Sequence, residues 1–153
     1  MTKGEFRRRF LEKKYGHLYK RVGNFQYKCY YCGSEEKVGL DHVPNLRFLE
    51  GLNTIKFVKS GGSFVLYPSC AACNIGLSNC IYTNPLDRIE YLSSRILKKM
   101  DKIEVWGEDE LREMGHSLRS LIANQQSKLS IMQERLKMLL NRSDELEGRP
   151  ENE

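Results

Sequence analysis

The chain has no run of the roughly 20 consecutive apolar residues that a membrane-spanning helix needs, which excludes an integral helical membrane protein. Its opening residues, MTKGEFRRRF, are basic but lack the apolar centre of a secretory signal, so a cytoplasmic location is expected. No internal repeat and no low-complexity tract is present, which argues against a solenoid or a fibrous array. Histidine is scarce, with three residues in 153. His17 and His116 lie near no motif and read as surface residues, which leaves His42 as the histidine with chemistry to explain.

What is present is charge and paired cysteine. Charged residues make up 29% of the chain and the formal net charge is +5, unevenly placed. Residues 1–28 carry nine Lys/Arg against Glu5 and Glu12, whereas the segment after Ser143 holds five acids and only Arg149. A basic face meeting a polyanion, with an acidic tail in solvent, accounts for this asymmetry. Two solvated termini would account for it as well.

Thr2 with Glu5 matches a capping box, and Phe6, Phe10 and Leu11 then define the apolar side of a short helix. Arg7, Arg8, Arg9, Lys13 and Lys14 crowd the rest of that helix and are the candidate nucleic-acid contacts. Phe25 to Val43 reads as short strands broken at CGSEEK, 44–63 as a long excursion, and FVLY at 64–67 as a strand. A helix is expected near Cys70, and Asn84-Pro85-Leu86-Asp87 opens another that runs to Lys99 or Met100. Leu86, Ile89, Leu92, Ile96 and Leu97 form its core face, and Arg88, Arg95, Lys98 and Lys99 join Lys56 and Lys59 as surface cations. Trp106-Gly107 breaks the pattern before a short acidic helix at 108–114, with Trp106 packing the C-terminal helices onto the rest.

The last helix is expected near Ser117. Leu118, Ile122, Gln125, Leu129, Met132, Leu136 and Leu139 form a heptad seam through it. The seam either makes a homodimer across 118–139 or lies against the preceding helices; its shortness and its Gln favour the second.

Cys29-Tyr-Tyr-Cys32 and Cys70-Ala-Ala-Cys73 supply four soft ligands in two pairs, the pattern of a structural zinc site. A redox dithiol would need one pair and leave the other unexplained. Cys80 is unpaired and reads as a buried filler. The first pair lies in a knuckle followed by Gly33 and the second opens a helix, which together describe a treble clef. Such a closed site does no chemistry itself. Between the pairs lies LDHVPN, Leu40 to Asn45, where Asp41 can bind a hard cation and His42 can take a proton near pH 7.

The order CxxC, L-D-H-V-P, CxxC-N resembles the HNH endonucleases, the ββα-metal nucleases built on a zinc-stapled treble clef. The resemblance spans Tyr27 to Asn79, about a third of the chain, and rests on Cys29, Cys32, Asp41, His42, Pro44, Cys70, Cys73 and Asn74. It implies DNA as partner, zinc at the four cysteines, and Mg²⁺ or Mn²⁺ held by Asp41 and Asn74, with His42 as general base. Compact proteins of that family are often carried by phages and mobile elements. Relatives commonly place an Asn five residues before the third cysteine to orient the base, and a Lys three residues after the Asn74 position. This chain has Val65 and Leu77 there, and Asn45, Asn53 or Ser63 are the spatial substitutes.

The expected fold is α+β, with residues 1–24 a basic helical arm, 25–82 the zinc-binding ββα domain, 83–142 a helical region and 143–153 a disordered acidic tail. A zinc module that binds DNA or protein without cutting is the competing function.

Overall fold

The computed structural model describes residues 1–22, 27–103, 108–113 and 115–148. Trp106, Gly23 and Phe25 lie outside these. Helix α1 (Lys3–Tyr15) starts on the expected capping box: the Thr2 hydroxyl accepts from the Glu5 amide at 3.2 Å, and the Glu5 carboxylate accepts from the Thr2 amide at 2.7 Å. Its buried side differs from expectation. Leu11 packs into a small core with Tyr19, Leu46, Leu49 and Phe64, while Phe6 and Phe10 are 66% and 51% exposed. Leu11 and Tyr15, four apart, form a stripe of their own about a quarter-turn round from Phe10.

A 3₁₀ turn (Gly16–Leu18) leads to β1 (Lys20–Arg21). Strands β2 (Val38–Val43) and β3 (Val65–Cys70) complete a three-stranded sheet of order β1-β3-β2. β3 runs parallel to β1 and antiparallel to β2, with Asp41 opposite Tyr67 and His42 opposite Leu66. The first cysteine pair sits in turns rather than in a strand of a hairpin. The Cys29 amide donates to Ser34 and the Gly33 amide to Cys29, which closes a knuckle around Gly33 at φ +79°. β3 passes through Pro68, a residue without an amide to give. β1 reaches only as far as Leu66, and the Pro68 carbonyl takes the Tyr30 amide at 2.7 Å, which ties the knuckle to the sheet.

The excursion after β2 is more regular than its glycines suggest. It contains a 3₁₀ helix (Leu46–Gly51) and α2 (Thr54–Lys59), the latter capped by Asn53. α3 (Ala71–Gly76) begins with Cys70 as its cap. α4 (Pro85–Met100) opens on Asn84, whose side chain accepts from the Leu86 amide at 2.8 Å, with Pro85 at its first position. Ile89, Leu92 and Ile96 are buried as expected, but Leu97 is 47% exposed.

After α5 (Glu108–Arg112), helix α6 (His116–Glu147) is a single rod of 32 residues, about 48 Å long. Its Met132, Leu136 and Leu139 pack onto a core made by the four paired cysteines, Tyr31, Leu77, Ile89 and Leu92. Leu118, at the start of the seam, is exposed. The helix also continues past Ser143, where a disordered tail was expected. Leu146 packs against the same core and Arg142 pairs with Glu145 at 2.9 Å, which holds the acidic end in helical form through Glu147. The fold is thus α+β, with a small sheet and a buried four-cysteine cluster. Among the described residues, no helix is long and apolar enough to cross a membrane.

Candidate metal centre and cleft

Cys29 and Cys32 come from the knuckle, Cys70 from the end of β3 and Cys73 from the first turn of α3. All four are buried, and their sulfurs lie within 4.8 Å of one another, with Cys32 and Cys70 3.7 Å apart. A tetrahedral ion with metal–sulfur bonds of about 2.3 Å puts its sulfurs about 3.8 Å apart, so the donor set fits a thiophilic metal such as zinc. The thiols also perturb one another. Hydrogen bonds from Cys32, Cys70 and Cys73 hold Cys29 far below the usual thiol range, while Cys73 is pushed far up, first by its bond to Cys29. A metal ion binds the thiolate form, so its binding would release protons from this cluster. Cys80 is buried in the same core but outside the ligand set, and burial raises its thiol pKa.

Helix α6 reaches this centre. Arg135 directs Nη2 at Cys73 Sγ, 3.4 Å away. Arg142 donates from Nε to the Tyr30 carbonyl at 2.7 Å and lies 4.9 Å over the Tyr30 ring. Thiolates here would gather negative charge, which Arg135 is placed to offset, while Arg142 ties the helix to the knuckle and pairs with Glu145.

Asp41 and His42 leave β2 on opposite faces, as adjacent strand residues must. Asp41 is buried, and its Oδ2 accepts from Tyr31 Oη at 2.6 Å and from Arg88 Nη2 at 2.8 Å. Arg88 is 0% exposed, so it is no surface cation. A charge can be carried there because its other donors are satisfied as well. Nε donates to Tyr31 Oη at 3.1 Å, Nη1 to the Tyr82 carbonyl at 2.6 Å, and Nη2 also to Asn45 Oδ1 at 3.3 Å. Asn45 turns its amide nitrogen to the carbonyls of Leu77, Ser78 and Cys80, and so locks LDHVPN to the loop after α3. Burial raises the Asp41 pKa; Arg88 and Tyr31 pull it back down.

His42 is half-buried, with its ring edge-on to Tyr19 at 4.8 Å. Tyr19 in turn donates its hydroxyl to the Pro44 carbonyl. Burial lowers the His42 pKa below 6.5; Glu12 and Asp41 counter that and Arg8 adds to it. The imidazole is therefore neutral near pH 7. Asn74, on α3, donates from Nδ2 to the Leu40 carbonyl at 3.4 Å, and among the described residues none donates to its side-chain oxygen.

Asp41, His42 and Asn74 line one open cleft of about 410 Å³, together with Arg8, Asn45 and Arg47. The strand separates the first two by face, and the cleft is nevertheless lined by both. None of the proposed substitutes orients His42: Asn45 is committed to the loop, Asn53 caps α2, and among the described residues no side chain hydrogen-bonds the imidazole. Val65 sits opposite Val43 in the sheet. Of the basic arm, Arg8 reaches the cleft, Arg7 pairs with Glu50 at 2.9 Å, and Arg9 and Lys13 are exposed. Lys14 lies over Tyr15 at 5.2 Å.

Sequence reasoning missed Arg88, Tyr31 and Arg135. Arg88 carried a signal: it stands four residues before Leu92 and eight before Ile96, on the apolar stripe of α4. No signal marks Tyr31 or Arg135, whose partners are remote in sequence. No family model, curated protein or solved structure matches the chain.

Proposed function

We propose that the protein is a metal-dependent DNA endonuclease of HNH type, with its tetrathiol cluster a structural zinc site in a treble-clef core. The observation that carries this reading is the convergence of Asp41, His42 and Asn74 on one cleft edged by Arg8 and Arg47. The donor chemistry suits Mg²⁺ or Mn²⁺, which take oxygen ligands. With Asp41 Oδ2 committed to Arg88 and Tyr31, Asp41 Oδ1 and the amide oxygen of Asn74 are the oxygens that would hold it. When bound, the cation supplies charge that stabilises the anionic phosphate as it is attacked.

The chain's own residues do the rest. Arg8 and Arg47 draw the phosphate to the cleft. His42, neutral near pH 7 and steadied by Tyr19, takes the proton from the attacking water. Arg88 and Tyr31 fix the rotamer of Asp41, so its second oxygen faces one direction. Expected of the purified protein is nicking of supercoiled plasmid with Mg²⁺ or Mn²⁺. Asn74→Ala is expected to raise the metal concentration needed for half-maximal rate at least tenfold, the lower end for weakening a metal site. An unchanged requirement would remove Asn74 from the site.

One observation favours a second reading. The Asp41–Arg88 pair neutralises the carboxylate that a cation would use, and among the described residues no Asn hydrogen-bonds His42. On that reading the chain binds DNA through the same face without cutting it. Salt-sensitive binding that persists in Asp41→Asn and His42→Ala, with plasmid intact in the parent under every cation, is its signature.

A further inference from the structure

A second hollow of about 260 Å³ opens on the far side of α3, between α3, α4 and α6. Leu92 and Ile96 supply apolar lining, and its polar lining is Arg95, Lys99 and Arg135. Among the described residues, no carboxylate lines it. Arg95 and Lys99 stand four apart on α4 and therefore project side by side. The Arg95 guanidinium is held in place by Tyr91, to whose hydroxyl it donates at 3.0 Å. Arg135 leans on Cys73 Sγ, so Arg95 and Lys99 carry the charge left to the hollow. Lys99 also suits the C-terminal dipole of α4, but Arg95 lies more than a turn from that end, and the dipole does not account for it.

The hollow and the cleft are neighbours. Ile75, directly after Asn74, lines both and is 75% exposed. An apolar side chain this exposed, standing between two cation-lined depressions, matches the chemistry of a nucleic-acid strand, whose phosphates alternate with apolar sugar and base edges. We propose that the hollow is a phosphate subsite for the DNA backbone, occupied by a phosphate of the same molecule whose scissile phosphate lies in the cleft, with Ile75 between them. The inference rests on the reading of the cleft as a DNA phosphodiesterase and names a binding surface for it outside the arm of residues 1–24.

The test is fluorescence anisotropy of a labelled DNA duplex titrated with full-length protein across a salt series, without added divalent cation. Arg95→Gln/Lys99→Gln is expected to weaken binding evenly across duplex sequences and to make the slope of log affinity against log salt shallower by about one, the loss of a phosphate contact. Lys98→Gln, on the same helix but outside the hollow, is expected to leave the slope unchanged. Lys99→Glu alone serves if the double variant unfolds, since Lys99 is exposed. An unchanged slope in both the double variant and Lys99→Glu overturns the proposal. So does a Lys98→Gln effect of equal size, and so does inorganic phosphate binding that these variants abolish while DNA affinity stays the same. His42-dependent cleavage with an unchanged slope removes the subsite and keeps the cleft. A shallower slope in a protein that never cuts keeps the subsite and removes the nuclease.

Discussion

Arg88 decides whether Asp41 can exist as a carboxylate inside this protein. Removing one partner of a buried ion pair leaves the other charge uncompensated, at a cost of about 3–5 kcal/mol. Arg88→Met is therefore expected to lower stability by about that amount in urea unfolding, and Asp41→Asn added to it to restore part of the loss. A loss below about 0.5 kcal/mol would mean that the pair of 2.8 Å holds nothing in place. His42 carries the pH dependence. Its folded pKa lies below the ordinary 6.5, so between the two values the unfolded chain binds the extra proton and stability rises with pH. The rate of a reaction that needs the neutral base rises through the lowered value and flattens above 6.5. A cleavage profile whose rising limb is centred above 6.5 contradicts this assignment.

At the scale of elements, α6 is the piece whose role the structure changes most. Its seam was legible in the heptad spacing, and so was the start of α4, because Asn84-Pro85 and Thr2/Glu5 are local signals that act within four residues. The cysteine pairs were equally legible. What could not be read is what joins elements distant in the chain: Arg88 to Asp41 across 47 positions, Arg142 to Tyr30 across 112. The short helices at Leu46–Gly51 and Thr54–Lys59 were hidden by glycines that end them rather than preclude them. Leu139 is fully buried and Leu118 nearly half exposed, so the two ends of the seam should respond differently. Leu139→Ala is expected to cost about 2–5 kcal/mol and Leu118→Ala less than about 0.5 kcal/mol. Similar losses at both, together with protein-concentration-dependent unfolding, would instead place the whole seam in a contact between chains.

In the molecule as a whole, the tetrathiol cluster joins what the chain keeps apart. Knuckle, sheet, α3, α4 and α6 all meet at the core that contains it, and the cleft is lined by β2 of the same sheet and by α3. Binding of a metal such as zinc at these four sulfurs would be coupled to folding. Native mass spectrometry is expected to find one zinc per chain, and stripping it to abolish both the cooperative unfolding transition and DNA binding. A metal-free chain that unfolds cooperatively at the same urea concentration would show that the cysteines only fill the core. The central claim concerns the cleft, and single-turnover cleavage of supercoiled plasmid by the parent and His42→Ala, at equal fractions of DNA bound, addresses it most directly. The expected result is a rate at least about 100-fold lower in the variant, the lower bound for losing a general base. Equal rates, or intact plasmid with both proteins under Mg²⁺ and Mn²⁺, would contradict it.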